Sequence, residues 1–431
     1  MSIDIDRSND LEVANYILRT NDLFVCNQFF YHYNNNYWAP IDERLIKNKI
    51  LDILQEKYKQ AAVKNIIDIM QVCSVKGEDQ INLNEKKGLI NCINGFLNIN
   101  DGNLIAHSDD TKSYLSTNQF NVNHSPGATY NRWLQFLDEI FESEVDKADK
   151  ISLLKELMGL CLTIETKYEK AFFLLGNGSN GKSMILGVLE AILGKSNFSS
   201  LEFDQIGKQF LTHQLMGKLV NVCTDIDYHN RTTYGAFKRI VTGETMLADV
   251  KNKKPIQFRP YCKLIFAANR LPQTNDTSRG YFRRIMILKL NQSFEGKRKD
   301  KDLRNKLLAE IDGIFLWMID GLQLLQNNQK FTIPSSSEEE LDKYLENSNS
   351  VVAYIHEKCE IKEHPDCWIA YQELFDGYKK YCAESGLLNF KKTEMKQEII
   401  DRQFKGRVLF SRHGDRGNHF QNIRIKNDLP Y

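Results

Sequence analysis

A membrane-length apolar run is the first thing this 431-residue chain lacks. A spanning helix needs about 20 consecutive apolar residues, and no stretch approaches that, so no membrane partner is expected. No secretory leader is expected either, because Met1 to Leu11 is acidic and polar. Nine cysteines are scattered without a C-x-x-C pair. An odd number with no leader points to reduced thiols in a cytosol, so a cytoplasmic location is expected. An excess of one charge is also absent: Lys+Arg 57 against Asp+Glu 56 leaves +1. That balance identifies no partner, and the distribution of charge must do so instead. What remains is 42% hydrophobic and 26% charged, over a length sufficient for two or three globular domains.

Metal-ligand patterns are sparse. His356, Cys359, His364 and Cys367 read H-x2-C-x4-H-x2-C, a spacing that could bind zinc. Tyr354 to Cys359 reads as the end of an amphipathic helix and Pro365 breaks the connection, so chance proximity is the preferred reading. Asp4 and Asp6 form a D-x-D that could hold two metals in a polymerase or primase. They precede any strand-like run and read as a frayed terminus.

One stretch organises the rest. Ala171 to Leu175 has the length and apolarity of a buried strand. Gly176, Asn177, Gly178, Ser179, Asn180, Gly181, Lys182 and Ser183 then fit G-x-x-x-x-G-K-[ST], and an apolar helical pattern follows from Met184 to Leu193. Glycines let backbone N–H groups wrap a phosphate, and the positive end of a helix dipole adds to that field. Lys182 is expected on the β- and γ-phosphates of ATP, and Ser183 on Mg²⁺. Strand, loop and helix together raise the match above a glycine-rich turn.

A second apolar strand, Leu219 to Cys223, leads to Thr224-Asp225-Ile226-Asp227. Asp225 and Asp227 alternate with Ile226 and would face one side of an extended strand, where such carboxylates hold Mg²⁺ and polarise the attacking water. A third strand, Leu264 to Ala268, ends in Asn269, which could orient that water. Val250 to Phe258 reads as a hairpin whose tip carries Lys251, Lys253 and Lys254, a solvated turn or a contact for a phosphate backbone. Arg283 and Arg284 precede a strand-like run, where either could complete a neighbour's nucleotide site or form a surface ion pair.

These elements, in this order within residues 176–284, resemble the superfamily 3 helicases, and among them the phage and plasmid primase-helicase group related to the poxvirus primase-helicase. Ile93 to Leu97 with Asp101 to Leu104 resembles the domain ahead of the helicase in that group, and Trp317 to Gly321 the helix closing it. The resemblance implies an AAA+-type core, a hexameric ring, ATP hydrolysis between subunits and 3′-to-5′ movement on single-stranded DNA. It also implies Lys182 and Ser183 in phosphate and Mg²⁺ roles, Asp225 and Asp227 as the acidic pair, and Asn269 as sensor. Lys251, Lys253 and Lys254 become the pore hairpin, and Arg283 or Arg284 the arginine finger. Many relatives carry Glu in the acidic pair where both residues here are Asp. No primase site is legible in 1–125.

At the other end, Pro334 to Glu340 reads as a linker into a helix cap. Trp368 to Glu384 and Thr393 to Phe404 read as helices, with strand-like segments around Gly414 and Gly417, an order that suggests a winged helix. Residues 391–426 hold ten basic and four acidic side chains, so 10 − 4 = +6, an electrostatic footprint for nucleic acid. The expected organisation is an α/β chain: an N-terminal α+β domain over 1–125, a helical collar over 126–165, an AAA+-type P-loop core over 166–333 and a winged-helix-like domain over 340–431. The expected function is an ATP-dependent helicase acting on single-stranded and forked DNA in replication of a phage, plasmid or mobile element. A primase, polymerase or initiator is the candidate partner. The rival is an ATP-controlled origin-binding initiator without processive unwinding.

Overall fold

The computed structural model describes residues 8–55, 59–73, 83–86, 88–224, 226, 234–251, 253–272, 274, 278–294, 300–385, 389–402, 404, 407–412 and 417–426. The chain divides into two units, 1–272 with 284–337, and 273–283 with 338–431.

The first unit opens with helix α1 (Asp10–Thr20). Asn9 accepts from the Glu12 backbone N–H and the Glu12 carboxylate accepts from the Asn9 N–H, a reciprocal cap. Strands β1 (Leu23–Cys26), β2 (Phe29–Tyr33) and β3 (Trp38–Ile41) form an antiparallel meander, followed by helices α2 (Glu43–Leu54) and α3 (Gln60–Cys73). Val13, Ile17, Val25, Ile46, Ile50, Ile66 and Met70 close a small core between them. Strands β4 (Leu89–Cys92), β5 (Gly95–Asn98) and β6 (Leu104–Ile105) make a second meander, whose first turn is Ile93-Asn94.

Helices α4 (Asn131–Ile140) and α5 (Lys147–Leu160) lead into β7 (Ala171–Leu175), α6 (Lys182–Leu193), β8 (Phe198–Ser199) and β9 (Val220–Cys223). Helix α7 (Tyr234–Thr242), the hairpin of β10 (Met246–Ala248) and β11 (Ile256–Phe258), and β12 (Lys263–Ala268) follow. The short α8 (Arg279–Phe282) precedes β13 (Ile285–Lys289), and α9 (Leu303–Leu308) and α10 (Ile311–Asn328) complete this part. Strands pair in parallel in the order β13-β7-β12-β9-β8. Every residue of β7, β9 and β12 is buried. That suits a parallel sheet covered on both faces, whose strands read as unbroken apolar runs. The chain is thus mixed α/β, as expected. The first strand of the hairpin lies at 246–248, ahead of the Val250 start read from sequence, so its tip is the longer run 249–255.

Helix α11 (Ser335–Ser348) occupies what the sequence suggests is a linker. The serine-rich start is held rather than free: the Ser336 N–H donates to Asp146 Oδ2 at 2.8 Å, and the buried Ser337 hydroxyl donates to the Ile287 carbonyl. In the second unit come α12 (Ser350–Lys358), β14 (Cys359–Ile361), β15 (Trp368–Ala370), α13 (Tyr371–Ser385), α14 (Lys392–Arg402), β16 (Leu409–Ser411), β17 (His419–Gln421) and β18 (Ile423–Ile425). Residues 368–370, expected as the start of a helix, instead pair with β17 as an edge strand. The expected single strand over 420–425 is broken at Asn422, whose φ of 63° splits it into β17 and β18. The sheet β15-β17-β16 and helices α12, α13 and α14 share a core of Tyr354, Tyr378, Met395, Ile399 and Phe420.

Candidate functional site

The glycine loop leaves the carboxyl end of β7, which lies between β13 and β12. In an open parallel sheet, ligands bind outside the carboxyl ends of the strands, where the strand order reverses. Here the chain runs from β7 to the β8 edge and ends with β13 on the opposite flank. Gly178 (φ +92°), Ser179 (φ 45°) and Gly181 (φ +94°) turn the backbone through the left-handed region. At Gly181 a side chain is excluded twice, by that φ and by Ile140 Cγ2, 2.9 Å from where a Cβ would sit. Helix α4 therefore seats directly against the loop.

Lys182 begins α6 and is only 8% exposed. Its ammonium donates to the Gly176 carbonyl at 2.5 Å and to Asn180 Oδ1 at 3.2 Å. Asn180, 3% exposed, also donates to the Leu290 carbonyl at 3.4 Å. The Phe294 N–H donates to the Ser179 carbonyl at 2.8 Å. The strap after β13 thus braces the outer side of the loop. Asn177, Gly178, Ser179 and Ser183 are exposed.

Ala268 lies opposite Leu175, and the Gly176 N–H donates to the Ala268 carbonyl at 3.2 Å. Asn269, exposed and next in the chain, is therefore brought beside the start of the loop. Arg270, also exposed, follows it; no motif pointed to that residue. Cys223 of the neighbouring β9 lies opposite Phe266. Asp225 and Asp227, the expected acidic pair, lie outside the described residues.

Arg284 is not brought to the loop. The Arg284 carbonyl accepts from the Ala171 N–H at 2.7 Å, which fixes it at the amino end of β7. Its guanidinium is buried and pairs with Glu169 at 3.1 Å. Arg283 is exposed. Lys263, at the amino end of β12, is buried and donates to the Thr163 carbonyl and, at 3.1 Å, to the Tyr261 carbonyl. Burial pushes its ammonium down to about 8, but it sits at the sheet end away from the loop.

The three hairpin lysines differ. Lys251 and Lys254 are exposed, whereas the Lys253 ammonium donates to the Gln28 carbonyl at 2.7 Å. In the second unit, Arg402, Arg407 and Arg424 pair with Glu398, Glu363 and Glu360. Lys392 and Lys396 lie over the rings of Tyr371 and Phe410. Lys391 and Arg412 are not fully covered, and Lys405 and Arg416 lie outside the described residues. The +6 of this region is therefore partly taken up by local pairs. His356 faces Glu346 at 2.5 Å, and among the described residues no group of three or more His, Cys, Asp or Glu converges as a metal site. No helix among them is long and apolar enough to cross a membrane.

Solved structures share this fold over almost the whole chain. An apo structure of the NrS-1 C-terminal region (305–718) aligns over 97% of this chain and 100% of that one, at 13% identity and a TM-score of 0.52. Another apo form of that region gives 96%, 100%, 12% and 0.54. At such identity the likeness shows the fold alone.

Sequence families carry the rest. Residues 14–142 match a family described as "D5 N terminal like", and residues 174–284 match a family of unknown function, DUF5906. The "Putative helicase L207/L206" of Acanthamoeba polyphaga mimivirus is 25% identical over 221 residues, 49% of this chain and 23% of that protein. The chain therefore spans about a quarter of that relative's length. The resemblance to the phage and viral primase-helicase group, read from the motif order, is borne out by these matches.

Proposed function

We propose that the chain is the motor of a replicative DNA helicase: an ATP-hydrolysing, AAA+-type P-loop protein that assembles as a hexameric ring and moves 3′-to-5′ on single-stranded DNA. The observation that carries this reading is the loop at the carboxyl end of β7. It has an ammonium held inside the turn at 2.5 Å from the Gly176 carbonyl, and Asn269 beside its start. A triphosphate entering there would draw Lys182 off the carbonyl and meet the N–H groups at the start of α6.

The residues present also suit magnesium. Ser183 offers an exposed hydroxyl in the first turn of α6, a hard oxygen donor of the kind Mg²⁺ takes together with carboxylate and phosphate oxygens. Ser183 and Asp225 would hold the ion, which neutralises phosphate charge when bound. Asp227 and Asn269 would orient the attacking water. Arg283 is taken as the finger because it is exposed, whereas the Arg284 guanidinium is buried against Glu169. The second unit supports a DNA-contacting role through Lys391 and Arg412, and α12, β15, α13, α14 and the β16–β17 pair follow an order that suits a winged helix.

The test is Lys182→Ala in the full chain, assayed for phosphate release with single-stranded DNA and for unwinding of a forked duplex. Both activities should disappear together; ATPase persisting at wild-type rate would refute the site. The basic surface of the second unit favours one rival, an origin-binding initiator. Tight binding to a single duplex sequence, with no unwinding of arbitrary forks by the wild-type chain, would select it.

A further inference from the structure

The hairpin tip is tied to the amino-terminal domain by a set of interactions converging on one side chain. The β1–β2 turn passes Asn27 and Gln28 through φ of 49° and 67°. Lys253 donates to that carbonyl at 2.7 Å. The same ammonium lies 4.5 Å from the centroid of the Phe29 ring, within cation–π range, and 3.9 Å from Glu43 Oε2 at the start of α2. Asp42, the cap of α2, also feels its charge. The tie is reciprocal, since Gln28 Nε2 donates to the Lys254 carbonyl at 3.3 Å. A carbonyl, an aromatic face and the Glu43 carboxylate thus surround this cation, while its neighbours Lys251 and Lys254 are exposed.

We propose that Lys253 is a positioning residue, not a nucleic-acid contact. It seats the hairpin tip on the amino-terminal domain, so that only Lys251 and Lys254 meet a phosphate backbone. The amino-terminal domain then moves with the hairpin as one body. To touch DNA itself, Lys253 would have to leave the Gln28 carbonyl, the Phe29 ring and Glu43 together. This inference rests on the reading of the hairpin as a DNA-contacting element.

The experiment measures binding of the full-length chain to fluorescein-labelled oligo(dT) by anisotropy across a salt series. Removing one lysine that neutralises a phosphate of single-stranded DNA makes the slope of log K against log[salt] shallower by about 0.7. Lys251→Gln and Lys254→Gln should each show that change. Lys253→Gln should bind several-fold more weakly with the wild-type slope, and Phe29→Leu should reproduce it. The double variant should be no worse than either single one. A slope shallower by about 0.7 in Lys253→Gln would overturn the proposal. If neither Lys251→Gln nor Lys254→Gln alters the slope, the hairpin is not a DNA contact and that part of the functional reading falls. The anchor is then judged by melting temperature: non-additive decreases for Lys253→Gln and Phe29→Leu uphold it, and additive decreases overturn it.

Discussion

Replacing the two adjacent arginines should give two different defects. Arg284 is 8% exposed and bound to Glu169 at 3.1 Å. Glu169 is about 40% exposed on its side chain, so the pair lies between a surface bridge and a buried one. Arg284→Ala should cost about 1–2 kcal/mol, a fall of a few degrees in Tm for a unit of this size. Arg283 is exposed, and the defect expected of Arg283→Ala is in turnover. If it is the finger, its removal should lower ATP turnover by roughly 1,000-fold or more. In the proposed ring the finger acts on another subunit. Strand β7 is 5 residues long, about 16 Å at 3.3 Å per residue, and the loop and Arg284 lie at its opposite ends. An inactive Lys182→Ala chain mixed with an inactive Arg283→Ala chain should therefore recover activity. In a head-to-tail ring assembled at random from equal amounts, about 1/2 × 1/2, a quarter of the sites, pair an intact lysine with an intact neighbouring arginine. Phosphate release by the mixture should approach about a quarter of wild type. Activity no greater than the sum of the two inactive proteins, or a fully active Arg283→Ala, would refute the reasoning.

Gly176→Ala would place a methyl group 1.7 Å from Asn180 Nδ2 and 2.5 Å from the Leu290 carbonyl. Binding of a fluorescent ATP analogue should weaken by at least about tenfold, equivalent to about 1.4 kcal/mol; unchanged affinity would show that the Asn180 tie is not needed. Stability should also fall in alkali. Burial raises the thiol of Cys26 to about 11, and those of Cys92, Cys161 and Cys262 to about 12, from an ordinary 9.0. These thiols stay neutral in the fold while the unfolded chain ionises, so their contribution is intact below pH 9 and is lost as pH rises toward 12. At about pH 10 each costs about 1.4 kcal/mol. Lys263, lowered to about 8 from 10.5, works the other way, adding stability as pH rises between those values by at most about 3 kcal/mol. The thiols outweigh it. Urea unfolding under reducing conditions should give a lower midpoint at about pH 10 than at about pH 8, and equal midpoints would contradict this account.

What could be read from sequence was what local pattern controls. The loop follows from eight consecutive residues between an apolar run and a helical period, and its strand, turn and helix appear where the pattern puts them. The positions that sequence left open depend on distant partners. That the Arg284 guanidinium is held in an ion pair turns on Glu169, 115 residues away. Whether Lys253 is available turns on Gln28, 225 residues away. The strand at 368–370 is three residues long and exists only because β17 returns to pair with it. The serine run at 335–337 looks like a linker because serine is polar, but Asp146 and the Ile287 carbonyl give all three residues partners. Asn180 occupies an x position of the motif, where the pattern makes no demand on side-chain chemistry.

The parallel sheet nevertheless carries information that order alone could have used. In such a sheet all strands point the same way, so a residue following a strand lies at one edge and a residue preceding a strand lies at the other. The glycine loop follows β7, Asn269 follows β12, and in the sequence the two aspartates follow β9. The arginine pair precedes β13. Register puts Ile285 opposite Ala171 and Lys289 opposite Leu175, so the loop and Arg284 are separated by the whole height of the sheet. One chain can thus supply the phosphate cradle and the sensor at one edge and an arginine at the opposite edge. A scheme in which the same chain's Arg284 completes its own site fails on distance before any chemistry is considered. In the ring proposed above, these two edges would meet in a heterologous head-to-tail contact, and closing the ring would complete every site.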